Sequence, residues 1–408
     1  MTLIFGSLAS GTIYGYNAGV YTGVLLQMKD SLELSAGDLG NQFAVFFTFE
    51  IIGTLLAPMA DRYGRKRMLL YSAAVLTLSP LLLLLDGSYS MTLLERAFSG
   101  LAGGITFTLG LVFVSEIARK PHRSLLLSFL MIGVSLGYIL EYEMSLMLIA
   151  GEGWRMAIAL ASVPALTQLI GLSFMPESPS FLAMRGETAA AQRASDWYGL
   201  EDDKNSLTTQ PDAASLKRLF VDPRNLLALK LGLLVVLSGS MAGMSFISFG
   251  PIILTQLGGL QTETSLALLE ALAVIGCLVS LTALIPIAKG YTAEVLVTGL
   301  LISSVSLMCI ALVRGTPVVI LFVIFQLAFS FGIRTTIFQI LPRLLSDHAR
   351  AKGMAVFNVL WSLLTIMNAE ITPRSLEVSA NGVFTVYGVF ALVLAIACWV
   401  FLRPHLRS

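Results

Sequence analysis

Long apolar stretches recur along the entire chain, and they constrain its fold more than any other feature of the sequence. One helical crossing of a lipid bilayer needs about 20 apolar residues. Only 12% of the residues are charged, whereas ordinary soluble domains have roughly 25%. The sequence therefore predicts an all-α membrane protein with twelve transmembrane helices. The twelve apolar windows lie at about 3–27, 40–60, 68–86, 91–118, 124–149, 154–175, 226–256, 263–287, 293–313, 316–342, 351–371 and 380–402.

A longer polar interval separates the first six windows from the last six. It predicts a cytoplasmic linker at 176–225, between an N-terminal six-helix bundle at 1–175 and a C-terminal six-helix bundle at 226–408. The segments 116–129 and 339–357 form a weak internal repeat, because in both an apolar helix ends in a basic loop and another helix begins. Such repeats are typical of secondary transporters. We therefore expect two pseudo-symmetric halves.

The positive charges are unevenly distributed along the chain. Most Lys and Arg residues fall in alternate loops and in the linker. Because cytoplasmic loops keep an excess of Lys and Arg, we predict a multi-pass protein of the cell (inner) membrane with both termini cytoplasmic. The net charge of +1 gives no electrostatic basis for a nucleic-acid partner. We expect a monomer surrounded by membrane lipid.

A charged loop between the second and third windows carries the sharpest motif, the run DRYGRKR at residues 61–67. Gly64 permits a tight reversal of the chain, while the charged groups can pair with one another or with helix termini. A simple positive anchor at the cytoplasmic surface would explain the basic residues. It would not explain Asp61 or Gly64.

This loop closely resembles the signature of the major facilitator superfamily, and three further runs are similar to its sugar porter family. They are GYNAGV at 15–20, Arg96 with the run SEIA at 115–118, and PESP at 176–179. The resemblance is better in the N-terminal half than in the C-terminal half. It implies transport by alternating access, with gating residues Asp61, Arg62, Gly64, Arg65, Lys66, Glu116, Arg123, Glu177 and Arg350.

Several positions depart from the sugar porter pattern. The asparagine and paired glutamines that bind sugar hydroxyls in the seventh span of the family correspond here to Met244, Ser238 and Gly239. The glutamines of the fifth span correspond to Met131 and Tyr138. These differences predict that hexoses are poor substrates.

Coupling to protons is a second departure. Proton-coupled family members have carboxylates at the positions of Asn17 and Ala161, whereas facilitative glucose carriers resemble this chain in having Asn. The resemblance implies simple equilibration of the solute, unless another acid such as Glu50 replaces the missing pair. Ionisable residues within membrane spans are functional candidates, and here the coupling candidates are Glu50, Arg96, Glu141 and Glu270.

Polar side chains recur at helical spacing within several spans. Tyr14, Asn17 and Tyr21 share one face of the first span, opposite a row of glycines at every fourth position. Polar atoms in hydrocarbon are costly unless paired or hydrated, so such faces predict an interior solute path. The competing interpretation is that these groups are satisfied inside the bundle. The substrate-binding candidates are Tyr14, Asn17, Tyr21, Tyr138, Ser238, Ser245, Gln326, Ser330, Arg334, Asn358 and Trp361.

Three functions stay open at this point. The first is transport of a small polar solute, sugar-like or a polyol. The second is proton-coupled uptake of a carboxylate or an amino acid, with Arg96 or Arg334 as the cationic partner. The third is a receptor that has kept a transporter fold. The sequence has no motif for nucleotide, metal or covalent catalysis, so we predict neither an enzyme nor a cofactor.

Overall fold

The computed structural model describes residues 2–118, 123–200, 222–345 and 350–406. Regular structure in this part of the chain is helical throughout. The prediction of an all-α protein is confirmed.

Six long helices make up the N-terminal part of the described chain. The short helix Leu25–Leu32 follows the first of them, and two more, Pro179–Met184 and Thr188–Tyr198, follow the sixth. The long helices are α1 (Thr2–Gly23), α2 (Ala36–Tyr63), α3 (Arg65–Leu85), α4 (Tyr89–Ile117), α5 (Arg123–Met147) and α6 (Gly153–Phe174).

Six further helices make up the C-terminal part, and several contain irregular turns. Helix α7 has a π-helical turn at Ser240–Met244, α10 has one at Phe329–Arg334, and the long helix Arg350–Ala397 has non-helical dihedral angles at Ser379. The helices are α7 (Pro223–Ser248, prolonged by Gly250–Ile252 and Ile253–Leu257), α8 (Thr262–Ala288), α9 (Thr292–Ile310), α10 (Thr316–Leu341, prolonged to Leu344), α11 (350–378) and α12 (380–397, prolonged by Cys398–Leu402 and Arg403–Leu406).

Nine helical stretches in the described residues are long and apolar enough to cross a membrane. The last of them, 54 residues long, contains both α11 and α12. Division of that stretch at Ser379 and inclusion of α1 and α5, with 22 and 25 residues, gives the twelve helices that the hydropathy pattern predicts.

The glycine row of α1 makes close helix contact, as predicted. A Cβ atom on Gly11 or Gly15 would overlap the α5 backbone at Leu130 or Val134. Gly19 and Gly23 instead face α5 side chains. Small residues at a helix interface let two backbones approach closely, so α1 and α5 form a tightly packed pair.

The chain divides into two compact units. One comprises Met1–Glu33 and Val45–Pro211, and the other comprises Leu34–Ala44 and Asp212–Ser408. The domain boundaries inferred from the sequence stay a prediction. Most of the linker, residues 201–221, lies outside the described residues.

Candidate functional site

The first unit contains a fully enclosed arginine, Arg96 of α4, whose residue is only 1% exposed. Its Nε atom lies 3.1 Å from Oε2 of Glu95, and both terminal nitrogens donate to the backbone oxygen of Asn17 at 3.1 Å. The guanidinium carbon lies 3.7 Å from the ring centroid of Tyr21 and 4.7 Å from that of Phe46. Arg96 therefore has its counterion, its acceptors and its aromatic partners from α1, α2 and α4.

Two predicted substrate-binding residues of α1 belong to this cluster. The Tyr21 hydroxyl donates to Oε2 of Glu95 at 2.9 Å, so its polar group is satisfied inside the bundle. Asn17 donates from Nδ2 to the backbone oxygen of Ile13 at 2.9 Å. Its Oδ1 atom has no hydrogen-bond partner among the described residues. Asn17 thus has one buried acceptor without a described donor, whereas the hydroxyl of Tyr21 is engaged.

Tyr14 and Glu50 form a second polar contact between α1 and α2. The Tyr14 hydroxyl donates to Oε1 of Glu50 at 2.7 Å, and its ring stacks on Phe107 with centroids 4.5 Å apart. Glu50 is 7% exposed, and its Oε2 atom has no hydrogen-bond partner in the described part of the chain. A substrate-binding candidate and a coupling candidate therefore meet directly.

Tyr138 and Glu141 of α5 face the glycine row of α1. A Cβ atom on Gly19 would lie 2.6 Å from the Tyr138 ring and 3.0 Å from Cγ of Glu141. The Glu141 residue is 0% exposed. The absence of side chains at these glycines thus leaves space that the two α5 residues occupy.

The candidates of the second unit lie in several of its helices. Ser238 donates to the backbone oxygen of Leu234 at 2.8 Å and lies 3.3 Å from the Cys398 sulfur. The Trp361 ring lies against Gly239. Gln326 is buried, and its Oε1 atom has no hydrogen-bond partner among the residues described. Ser245 and Ser330 are buried, and Glu270, Arg334 and Asn358 are half-buried.

A buried polar network between α7, α11 and α12 is not among the sequence-based candidates. Asn368 donates from Nδ2 to Oγ of Ser240 at 2.7 Å and accepts from the Tyr387 hydroxyl at 2.5 Å. Ser240 begins the π-helical turn of α7, which contains Gly243 at φ +107°. Tyr387 also lines a cavity of about 410 Å³ between α11 and α12. The three-residue spacing from Thr365 to Asn368 indicates a polar face, but the sequence does not show which partner it meets.

The loop at residues 61–67 brings most of the predicted gating residues together. Arg65 lies 2.8 Å from Asp61 and 3.3 Å from Glu116. The backbone N–H of Lys66 donates to Oε1 of Glu177 at 2.9 Å. Gly64 has φ +106°, and a Cβ atom there would overlap the Glu177 carboxylate. The loop, the end of α4 and the start of the linker are therefore joined by charged contacts.

Three gating candidates have no described contact with this set. Arg62 contacts the ring of its neighbour Tyr63, with 5.5 Å from the guanidinium carbon to the ring centroid. The side chains of Arg123 and Arg350 lie outside the described part of the chain. Their role as gating residues stays a prediction.

Comparison with known proteins decides the family. The model of the family described as sugar (and other) transporter matches residues 2–405. The chain belongs to the sugar transporter family. Because the match covers both halves, the family resemblance extends further into the C-terminal half than the sequence motifs indicate.

Relatives of this sugar transporter family member include bacterial proteins similar over nearly the full chain. A putative metabolite transport protein of Bacillus subtilis, YwtG, is 29% identical over 98% of this chain and 90% of its own length. The glucose transporter GlcP of Staphylococcus epidermidis is 25% identical, over 97% and 93%. A human facilitated glucose transporter, member 12 of solute carrier family 2, is 32% identical over 45% of this chain.

Solved structures agree on the fold of this family member. The D-xylose-proton symporter superposes with a TM-score of 0.80 at 19% identity, over 98% of this chain and 97% of that chain. The xylose transporter XylE from E. coli, in an inward-open conformation, also gives a TM-score of 0.80, at 17% identity, over 98% and 95%. The prediction of a major facilitator fold is thereby confirmed.

These findings establish the general function. The protein is an integral, multi-pass membrane transporter of the sugar transporter family, and it moves a small-molecule solute by alternating access, either passively or coupled to protons. The prediction that it is not an enzyme is also confirmed.

Proposed function

We propose that this transporter carries a small neutral solute with several hydroxyl groups, such as a polyol. The enclosure of Arg96 is the observation that supports a neutral solute. A substrate carboxylate could bind Arg96 only by displacing Glu95 or the Asn17 backbone oxygen, both 3.1 Å from the guanidinium. A buried charge that loses its counterion is strongly destabilised. The alternative of carboxylate uptake through Arg96 is therefore disfavoured.

Several polar groups suit hydroxyl recognition. The Tyr14 hydroxyl lies in the first unit, as does Oδ1 of Asn17, and Oε1 of Gln326 lies in the second. The two amide oxygens can accept hydrogen bonds that no described residue donates. The names of relatives specify glucose, D-xylose and polyols. The missing glutamines of the seventh span favour the polyol over the hexose.

A thermal-shift panel on the purified protein tests the substrate class. A ligand that binds only the folded state raises the unfolding temperature by mass action. We expect polyols to raise it, and hexoses, amino acids and organic acids to have little effect. The Tyr14→Phe variant should lose most of the shift. Tyr71→Phe, which alters an exposed tyrosine of α3, should keep it. Selective stabilisation by an organic acid, or by D-glucose, contradicts the proposal.

We further propose an inner-membrane location, cytoplasmic termini and a monomeric carrier in the lipid bilayer. The distribution of Lys and Arg supports the orientation. In this arrangement the loop at 61–67 and the contacts of Glu177 lie on the cytoplasmic side. The gating residues Asp61, Gly64, Arg65, Lys66, Glu116 and Glu177 would then act as one charged assembly that is remade in each transport cycle.

A further inference from the structure

Glu141 has an environment that differs from that of the other buried acids. Neither of its carboxyl oxygens makes a hydrogen bond of ordinary geometry to a described residue. The backbone N–H of Gly23 interacts with the carboxyl group, but not with the geometry of an ordinary hydrogen bond. Oε2 lies directly against the Gly23 backbone, beside Oγ of Ser145, which is also without a partner in the described chain. The carboxyl group is thus fully buried and has almost no hydrogen-bond partners among the described residues.

The other two buried acids among the described residues of the first unit are compensated. Glu95 has the guanidinium of Arg96 and the hydroxyl of Tyr21. Glu50 accepts a hydrogen bond from Tyr14 at 2.7 Å. No described Lys, Arg or His pairs with Glu141. Among these acids, Glu141 is the one whose charge is least tolerated where it lies.

The groups around Glu141 offer acceptors rather than cations. From α1, Tyr16 is the titratable neighbour, and its hydroxyl already donates to the backbone oxygen of Ala157 at 2.8 Å. Gln27 reaches the backbone oxygen of Ser145 through Nε2 at 3.4 Å, and its own Oε1 atom has no described partner. A carboxylic acid can donate one hydrogen bond, whereas a carboxylate can only accept. The unpaired Ser145 Oγ beside Oε2 can therefore accept a hydrogen bond from a protonated Glu141.

We infer that Glu141 is a proton-binding site and that this transporter moves its solute together with the proton held there. The inference rests on the proposed function and names its coupling ion. A carboxylate at this position takes one proton from water on one side and becomes a neutral carboxylic acid. It releases the same proton to the other side when hydration of the α1–α5 interface stabilises the carboxylate again. No other reactant is consumed.

The position links the proton to solute binding. Glu141 lies one turn beyond Tyr138, and both contact Gly19 of α1. Helix α1 also carries Tyr14 and Asn17, which the proposed function assigns to the solute. Ionisation of Glu141 is favoured by water or a cation, and the close packing of α1 on α5 leaves the residue 0% exposed with no described cation paired to it. Protonation therefore favours the packed arrangement of the helix that binds the solute.

Infrared spectroscopy tests the proton site without a solute. In purified protein at neutral pH, the carbonyl stretch of a protonated carboxylic acid should be present. It should lose intensity in Glu141→Gln and keep it in Glu143→Gln, a half-buried acid of the same helix. Equal band intensity in the wild type and in Glu141→Gln overturns the inference, whatever the substrate is. Circular dichroism on each variant verifies that the helices are intact.

Transport in proteoliposomes tests the coupling, with radiolabelled sorbitol as the probe. We expect a pH gradient to drive accumulation in the wild type and in Glu143→Gln. In Glu141→Gln the accumulation should fall to the equilibrium level, while exchange of internal for external sorbitol continues, because exchange needs no net proton movement. Accumulation that survives in Glu141→Gln and disappears in Glu50→Gln, or that follows a sodium gradient alone, overturns the inference. If the wild type does not transport sorbitol, the substrate proposal fails, and the infrared result still decides the proton site.

Discussion

At the scale of single residues, the pair Glu95 and Arg96 has the clearest energetic consequence. Adjacent residues on a helix do not face each other, so both side chains must bend toward Tyr21 to meet. The pair is buried, with side-chain exposures of 0% and 1%. Loss of one member of a buried ion pair leaves an uncompensated charge and costs about 3–5 kcal/mol. Because the Asn17 side chain is neutral, Glu95 supplies the counterion for Arg96.

We expect Glu95→Gln to lower the free energy of unfolding by about 3–5 kcal/mol, because Arg96 keeps its charge and loses its counterion. Denaturant unfolding of the purified protein measures the change. The matched control is Glu152→Gln, which breaks an exposed pair with Arg155 and should cost under about 1 kcal/mol. The double variant Glu95→Gln with Asn17→Asp should regain part of the loss. Equal effects of the two glutamine substitutions contradict this account.

At the scale of helices, the contact between α1 and α5 depends on the absence of side chains. Gly15 lies against the backbone of Val134, so an added methyl group has no flexible neighbour to displace. Overpacking of a well-packed interior typically costs about 1–3 kcal/mol. The contact is also the one that encloses Glu141.

Gly15→Ala should therefore lower the unfolding temperature, although alanine is the better helix former by about 1 kcal/mol. Gly171→Ala in α6 is the control, because a Cβ atom there would have no neighbour within 4 Å. That variant should be neutral or more stable than the wild type. Differential scanning fluorimetry of both proteins measures the shift. A Gly15→Ala protein as stable as Gly171→Ala would show that α1 and α5 can move apart without a loss of stability.

The loop between α2 and α3 imposes two separate demands at Gly64. Its φ of +106° is unfavourable for other residues, and a Cβ atom would overlap the Glu177 carboxylate.

The linker helix Thr188–Tyr198 contacts the segment that carries Glu177. In this helix, the Tyr198 hydroxyl donates to the backbone oxygen of Pro176 at 2.7 Å. Burial, and then the charge of Glu177, raises the pKa of the Tyr198 phenol, so this donor keeps its proton. The linker helix thereby holds the segment that carries Glu177.

Gly64→Ala should reduce the transport rate more than Gly186→Ala does, at equal surface expression. Gly186 also has a positive φ, +75°, but a Cβ atom there would contact nothing within 4 Å. Both positions have a positive φ, and of the two only Gly64 also lies against Glu177. Equal transport rates for the Gly64→Ala and Gly186→Ala variants would exclude a role for the contact with Glu177.

Asp61→Asn should leave stability nearly unchanged and slow transport, because it weakens the pair with Arg65.

At the scale of the whole molecule, the proposed orientation has a direct test by labelling of intact cells. We expect a cysteine at Thr188, an exposed position of the linker helix, to resist a membrane-impermeant maleimide until the cells are opened. A cysteine at Ser90, exposed in the first turn of α4, should react from outside. A variant that lacks Cys277, Cys309 and Cys398 provides the background. The reverse pattern would invert the proposed topology.

The sequence by itself determined the membrane character, the helices, the charged loop and the family. Each of these properties is local: a bilayer crossing needs only a run of apolar residues, and the loop motif is contiguous. The glycine row of α1 was equally predictable, because helical periodicity places every fourth residue on one face. The sugar porter resemblance of the N-terminal half belongs with these, since its motifs are short runs.

Only the tertiary structure decided which buried polar groups have partners. Tyr14 meets Glu50 across 36 residues, Arg96 meets Asn17 across 79, and Asn368 meets Ser240 across 128. Helical periodicity predicts which face of a helix carries a side chain. It does not predict which residues of the neighbouring helix that side chain contacts. In a low-dielectric interior the partner decides the chemistry of an acid. Glu50, Glu95 and Glu141 all lie in apolar helices, yet α1 presents a hydroxyl to the first, Tyr21 and Arg96 contact the second, and the backbone of Gly23 lies against the third.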